Sequence, residues 1–147
     1  MTEGKEGVGG FDLATAAPVS ELEETGQWIE IVGTEGEVLL WDNHTKPVRI
    51  QVIGSYSKTY RKLMHTQTTK AVKRKTTQIT GELLARQRLE VVAGSVQSWE
   101  GFYNAGKKLD CTRDNVKLVL DNYPYIMEQV EAALEDHEAF SPANSSN

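Results

Sequence analysis

Residues 27–54 read QWIEIVGTEGEVLLWDNHTKPVRIQVIG, and this stretch determines the fold class. Its β-branched and aromatic residues alternate with polar ones between clusters of residues that favour turns. The pattern predicts three strands, QWIEIV, EVLLW and VRIQVI, joined by turns at 33–36 and 42–45. We therefore expect a small antiparallel β-meander whose apolar face must be covered by other parts of the chain.

Downstream of Gly54 the apolar residues recur every three to four positions, which is typical of amphipathic helices. Ser55 or Ser57 is expected to cap the first helix by accepting a hydrogen bond from a free amide. A break is expected near 76–81, because the run TTQIT has a low helix propensity. This first helix is strongly basic, and its apolar band is weak: Tyr60, Leu63, Met64, Ala71 and Val72.

Three more helices are predicted after the break. The second runs from about 82 to 99 and has a core-like apolar stripe of Leu84 or Ala85, Leu89, Val92, Val96 and Trp99. A turn or short hairpin containing Gly106 follows, and then a short helix capped by Thr112. The last helix begins at Pro124, which suits a first helical turn, and ends near Phe140. The chain is thus predicted to be an α+β protein with a three-stranded meander and about four α-helices.

The 147 residues provide material for one ordinary domain. Residues 1–26 are rich in glycine and acidic residues and are expected to form a flexible N-terminal arm. Residues 27–140 are expected to form a single α+β domain, with the sheet in 27–54 and the helices in 55–140. Residues 141–147, SPANSSN, are expected to be a disordered tail.

Membrane and secretory classes are not indicated. No apolar run approaches the roughly 20 residues of a membrane-spanning helix, and the start, MTEGKEGVGG, lacks the features of a signal peptide. We therefore expect a cytosolic protein with no membrane partner.

No catalytic, cofactor or metal site is predicted. His44, His65 and His137 are far apart and have no metal-binding spacing, so each is expected to be structural or solvated. Cys111 is the single cysteine, and it can form no internal disulfide or thiolate cluster. The glycines near the N-terminus follow no strand and make no phosphate-binding loop.

The charge is distributed in three blocks. Residues 1–54 have a net charge of −7, residues 55–88 of +8, and residues 89–147 of −6. The basic block contains one acidic residue, Glu82, against nine basic ones: Lys58, Arg61, Lys62, Lys70, Lys73, Arg74, Lys75, Arg86 and Arg88.

A basic helix can bind nucleic acid, but here the acidic flanks repel a polyanion and Tyr60 is the one interleaved aromatic residue. A solvated face, or contact with an acidic surface of another copy or a partner, fits the charges better, so a homo-oligomer is possible. Trp99 and Phe102 could belong to the core or to an interface. The residues that we expect to contact a partner are Tyr60, Arg61, Lys70, Lys73, Arg74, Lys75, Trp99 and Phe102.

The order of motifs over roughly residues 50 to 135 resembles the tail assembly chaperones of long-tailed bacteriophages. In that family a strand ending in glycine leads into a Ser-x-x-Tyr start of a basic helix, and a W-x-G turn is followed by a glycine-bearing loop, a capped short helix and a proline-initiated helix. The positions that match are Gly54, Ser57, Tyr60, Arg61, Trp99, Glu100, Gly101, Gly106, Thr112, Asp114, Asn115, Pro124, Ile126, Gln129 and Val130. Cys111 departs from the aromatic or aliphatic residue that is common before the short helix.

The resemblance implies a non-catalytic protein of the host cell cytoplasm. Members of the family bind the tape measure protein, keep it soluble and help to recruit tail tube protein during tail morphogenesis. Two other functions stay open: a structural virion component, such as a minor tail or connector subunit, and a nucleic-acid-binding module using Lys70, Lys73, Arg74 and Lys75.

Overall fold

The computed structural model describes residues 10–16, 18–73 and 80–141. Within these ranges the chain is an α+β protein, as predicted. The helices are α1 (Val19–Glu24), α2 (Lys58–Lys73), α3 (Gly81–Gly94), α4 (Arg113–Asn122), α5 (Pro124–Leu134) and a short 3-10 helix (His137–Phe140). The strands are β1 (Gln27–Glu30), β2 (Leu40–Trp41), β3 (Lys46–Pro47), β4 (Arg49–Val52), β5 (Val96–Glu100), β6 (Tyr103–Asn104) and β7 (Lys107–Lys108).

The main sheet is antiparallel and three-stranded, with the order β1-β4-β5, so the prediction that EVLLW supplies one of its strands is wrong. The first and third predicted strands pair directly, with Ile29 opposite Ile50. EVLLW instead pairs with the residues just after β1, where the Leu39 N–H donates to the carbonyl of Ile31 at 2.9 Å. Its last two residues, β2, then pair with β3 in a hairpin. The turn predicted at 42–45 closes that hairpin.

The third strand of the sheet comes from a region that was predicted to be helical. Helix α3 ends at Gly94, where the Ser95 hydroxyl donates to the carbonyl of Val91 at 2.9 Å, and β5 begins at Val96. The β5 strand then pairs with β4, placing Trp99 opposite Ile50. The long-range ladder outweighs the helical spacing of the apolar residues, because β4 offers a free side for pairing and both Val96 and Trp99 suit a pleated surface. The division into a sheet at 27–54 and a purely helical part at 55–140 is therefore corrected.

Local signals at the helix ends are confirmed. The Ser57 hydroxyl accepts from the Tyr60 amide at 3.1 Å, and that of Thr112 accepts from the Asn115 amide at 3.2 Å. Pro124 begins α5. This helix ends at Leu134 and not near Phe140, and the remaining residues form the 3-10 helix.

Both chain ends differ in part from the prediction. Residues 18–24, within the expected flexible arm, include α1, which docks through the buried side chain of Glu23. A Cβ on Gly54 would lie 2.0 Å from Glu23 Oε1, so glycine is needed at that close approach. Residues 1–9 of the expected arm and 142–147 of the expected tail lie outside the described residues.

The hydrophobic core lies between the inner face of the sheet and the helices. It is formed by Ile31, Val48, Ile50, Val52, Val92, Ala93, Trp99, Val116, Val119, Leu120, Ile126, Val130, Ala133 and Leu134. Helices α2 and α3 form a hairpin at the edge of this core. Within residues 58–70 of α2 no side chain is buried, and the buried residues of α3 are confined to its last turns, 91–93.

Candidate partner-binding site

Helix α2 is positioned at its beginning by contacts with α1. The carboxylate of Glu24 accepts from the backbone N–H of Thr59 at 3.1 Å and also from the Thr59 hydroxyl. Partial burial acts to raise the pKa of Glu24, but the bonds from Thr59 and the charge of Lys62 outweigh it and lower that pKa. A negative group at the start of α2 also suits the helix dipole.

Two contacts hold α2 against α3 and α5. Gly94 allows the side chain of Leu63 to approach closely, since a Cβ there would lie 2.6 Å from Leu63 Cδ2. Arg88 joins three helices: its Nη1 donates to the Tyr60 hydroxyl at 3.1 Å and its Nε to Glu131 Oε2 at 2.8 Å. These contacts fix the near half of the hairpin on the core.

Farther along the hairpin, a groove with a volume of about 320 Å³ separates α2 from α3. Two large apolar side chains lie in it with much of their surface in solvent: Met64 is 45% exposed and Leu84 is 53% exposed. The full lining, which we call the α2–α3 groove, is Met64, Gln67, Thr68, Leu84, Gln87, Arg88 and Val91. A methionine side chain adapts its shape to different apolar surfaces.

The electrostatic setting of the α2–α3 groove is basic. Helix α2 carries five lysine or arginine residues and no acidic residue. On α3, Glu82 pairs with Arg86 at 3.3 Å, and Glu90 on α3 pairs with Lys117 of α4 at 2.5 Å. The hydrogen bond from Lys117 lowers the pKa of Glu90 and the charge of Lys70 on α2 helps to lower it, so the two carboxylates of α3 are engaged by cations. The five basic residues of α2 exceed these acidic groups in number and leave an excess of positive charge next to the groove.

The predicted partner-binding residues fall into three groups: those on α2, those outside the described residues, and the aromatic pair Trp99 and Phe102. Tyr60, Arg61 and Lys70 lie on α2, where Arg61 and Lys70 are exposed and Tyr60 is half-buried against Arg88. Lys73 is the last residue of α2. Arg74 and Lys75 lie outside the described residues, as does most of the break predicted at 76–81.

Trp99 and Phe102 do not form an exposed surface. Trp99 is buried in the core on the inner face of β5, and its Nε1 donates to the carbonyl of Leu109 at 2.8 Å. Phe102 stacks on the Trp99 ring with 4.2 Å between the ring centroids and is half-buried. The strand alternation of β5 turns Trp99 inward, so its assignment as a partner-binding residue is corrected.

A second cluster surrounds the buried carboxylate of Glu23, which is 2% exposed. Glu23 Oε2 lies 2.7 Å from His137 Nδ1, and Glu23 Oε1 accepts from the Tyr56 amide at 2.9 Å. The Tyr56 ring stacks on the His137 imidazole at 3.7 Å between centroids. His137 Nε2 lies 3.5 Å from both Ser55 Oγ and Glu135 Oε1.

This order of carboxylate, imidazole and hydroxyl is that of a nucleophilic relay, but the surroundings do not suit one. The Ser55 hydroxyl donates to Glu135 at 3.0 Å and not into a strong bond with His137. The amides that could stabilise an oxyanion are engaged: that of Ser55 by the Leu134 carbonyl, and that of Tyr56 by Glu23. The cluster therefore acts as a clamp that joins α1, the start of α2 and the 3-10 helix.

The remaining candidates for chemistry are structural or exposed. Cys111 is partly buried, and burial raises the pKa of its thiol, which disfavours the reactive thiolate. His44 lies in the exposed turn after β2, and His65 is exposed on α2. In the described ranges, no three or more His, Cys, Asp or Glu side chains are grouped closely enough to hold a metal ion.

Among the described residues, no helix is both long enough and apolar enough to cross a membrane. Comparison of the chain with protein-family models, with characterised proteins and with solved structures gives no match. The apolar lining of the α2–α3 groove was not among the predicted contact residues, although Met64 belongs to the apolar band of the first predicted helix.

Proposed function

We propose that this chain is a tail assembly chaperone of a long-tailed bacteriophage. In this role it binds the tape measure protein in the host cell cytoplasm and keeps that protein soluble while tail tube protein is recruited. It acts by binding and performs no chemical reaction. The observation that carries the proposal is the α2–α3 groove, with Met64 and Leu84 in solvent beside a helix that carries only positive charges.

The groove suits the apolar stripe of an amphipathic helix. Two antiparallel helices with apolar side chains between them can be completed by a third helix, whose anchors recur at three- and four-residue spacing. A tape measure protein is long and helical and exposes such stripes before the tail tube encloses it. The positive charge of α2 favours a partner helix with acidic residues beside the apolar stripe.

The sharpest test replaces Leu84 by lysine. Because this side chain is 53% exposed, Leu84→Lys should leave the fold intact while placing a charge in the groove. The matched control is Leu118→Lys on α4, since Leu118 is 55% exposed and lies outside the groove. Each variant is co-expressed with the tape measure protein, and the soluble yield and co-purification of that protein are measured.

We expect the native chain and the Leu118→Lys control to raise the soluble yield, and Leu84→Lys to lower co-purification by about tenfold. No increase in yield with the native chain would contradict the proposed function. Equal co-purification by both variants would contradict the assignment of the groove.

A structural virion component is the main competing function. Mass spectrometry of purified particles separates the two, because a chaperone should be absent or scarce in the particle. Nucleic-acid binding is less well supported, because the ring of Tyr60 is half-buried and its hydroxyl is bonded to Arg88, so the ring is poorly placed to stack on a base. A titration at low and moderate salt would reveal that activity as a steep loss of affinity with added salt.

A further inference from the structure

A second groove, of about 570 Å³, lies between β1 and the 3-10 helix His137–Phe140. Residues 25–28 and Glu30 form one wall, and Asp136 and residues 138–140 form the other. Trp28 is 38% exposed there. We call it the β1 groove; none of its lining residues belongs to the α2–α3 groove.

The β1 groove runs beside a free sheet edge, since β1 is the outer strand of the order β1-β4-β5. The Ile31 amide donates to the carbonyl of Val48 at 2.8 Å, on the β4 side. Because bonding alternates along an antiparallel strand, the N–H and C=O groups of Trp28 and Glu30 point away from β4. In the described part of the chain these outward groups have no hydrogen-bond partner.

Val32 is the next residue whose backbone groups point away from β4, and its contacts show what kind of group this edge can bind. The Val32 amide donates to Gln129 Oε1 at 2.8 Å, and Gln129 Nε2 donates to the Val32 carbonyl at 2.7 Å. The side-chain amide of Gln129 thus takes the place that a peptide group of a neighbouring strand would occupy. Trp28 and Glu30 present the same pair of groups without such a cover.

The lining of the β1 groove is acidic. Glu30 and Asp136 contribute negative charges. Arg49 is the only cation among the described lining residues. It lies opposite Glu30 in the strand register and its guanidinium lies 4.6 Å from the centre of the Trp28 ring, but its Nε donates to Glu100 Oε1 at 2.8 Å, and this third carboxylate offsets its charge. A ligand that fills this groove therefore gains from positive charge.

We propose that the β1 groove binds an extended, basic segment of another protein, which adds to the sheet as a fourth strand alongside β1. The backbone groups of Trp28 and Glu30 supply the hydrogen bonds, and the acidic lining selects lysine or arginine side chains. A two-fold pairing of β1 with β1 from a second copy is disfavoured, because it would bring two acidic grooves together. This site is independent of the proposed function.

The test uses the full chain and a labelled peptide of about eight residues that alternates lysine and valine, with binding followed by fluorescence anisotropy. We expect the native chain to bind it and Glu30→Lys to weaken binding by about tenfold. Glu128→Lys is the matched control: it makes the same charge change at an exposed position of α5 outside the groove, and should change the affinity by less than about twofold.

A second peptide, N-methylated at alternate residues, keeps the charges and removes the backbone donors. We expect it not to bind, and we expect the plain peptide to shift the amide resonances of Trp28 and Glu30 in NMR spectra. Equal binding of the two peptides, or equal effects of Glu30→Lys and Glu128→Lys, would refute strand addition. Self-association that Glu30→Lys abolishes would assign the groove to a second copy and overturn the proposal.

The Leu84→Lys variant keeps the β1 groove intact and should bind the peptide like the native chain. A failure of peptide binding would therefore leave the test of the α2–α3 groove unaffected, and the reverse also holds.

Discussion

Helix α5 and helix α2 differ sharply in how they are stabilised. Four residues of α5 are buried in the core, whereas no side chain within residues 58–70 of α2 is buried. Burial of an aliphatic side chain contributes about 1.5 to 3 kcal/mol, so α5 is held by the core and α2 mainly by its contacts with α1 and α3. Stability is thus concentrated away from the α2–α3 groove, as is common for binding surfaces.

The largest expected difference between the two regions concerns apolar truncation. Ile50→Ala removes a side chain that is 1% exposed and should lower the free energy of unfolding by about 3 kcal/mol, because it leaves a cavity in the core. Met64→Ala should lower it by less than about 1 kcal/mol, since Met64 is 45% exposed. Urea denaturation of both variants measures this. Similar losses would show that α2 is as tightly integrated as the core.

A smaller effect is expected at the clamp around Glu23. Glu23→Gln keeps the shape but replaces the carboxyl group that bonds to His137 and to the Tyr56 amide, and should cost about 1 to 2 kcal/mol. Glu21→Gln, at an exposed position of the same helix, is the control and should change stability by less than about 0.5 kcal/mol. Chemical denaturation of the two variants compares them. Equal losses in the free energy of unfolding for the two variants would show that the clamp adds nothing to the stability of the fold.

The smallest expected effect is the pH dependence of the ion pair between α3 and α4. The hydrogen bond from Lys117, 2.5 Å from the carboxylate, lowers the pKa of Glu90. The stabilisation by this ion pair is therefore fully present above the pKa of a glutamate in the unfolded chain, about 4.3. It is lost as the pH falls through the pKa of Glu90 in the folded chain, which is lower. Since both side chains are partly exposed, we expect the ion pair between Glu90 and Lys117 to contribute about 1 kcal/mol to the free energy of unfolding.

The measurement follows the free energy of unfolding from pH about 6 to about 3 for the native chain and Glu90→Gln, whose difference should shrink towards the acidic end. Glu82→Gln serves as the control, because its pair with Arg86 is exposed on the same helix. A difference that stays constant over this range would contradict the assignment.

The part of the fold that sequence patterns predicted depends on short-range physics. The alternation in QWIEIV and VRIQVI, the caps at Ser57 and Thr112 and the start of α5 at Pro124 each involve residues close together in the chain. The charge block on α2 is also a local property. It pointed to α2, which forms one side of the α2–α3 groove, although the exposed apolar residues of the groove were not expected to be the contacts.

The sequence-based predictions fail where the spacing of apolar residues fits both a helix and a strand, or where the contacting residue is distant in the chain. The spacing of Val92, Val96 and Trp99 suits a helix, yet Val96 and Trp99 belong to a strand because the free side of β4 accepts them. Leu84 or Ala85 was expected to begin the apolar stripe of α3, but Leu84 is 53% exposed and nothing in the described ranges covers it.

The amino-acid order alone was sufficient for the α+β class, most helix starts and the basic character of α2, since propensity, capping and charge act within a few residues. The pairing of β4 with β5, the burial of Glu23 under Gly54 and the exposure of Met64 and Leu84 required the folded chain. These features depend on which surfaces meet across long sequence separations, and local preferences carry no information about such meetings.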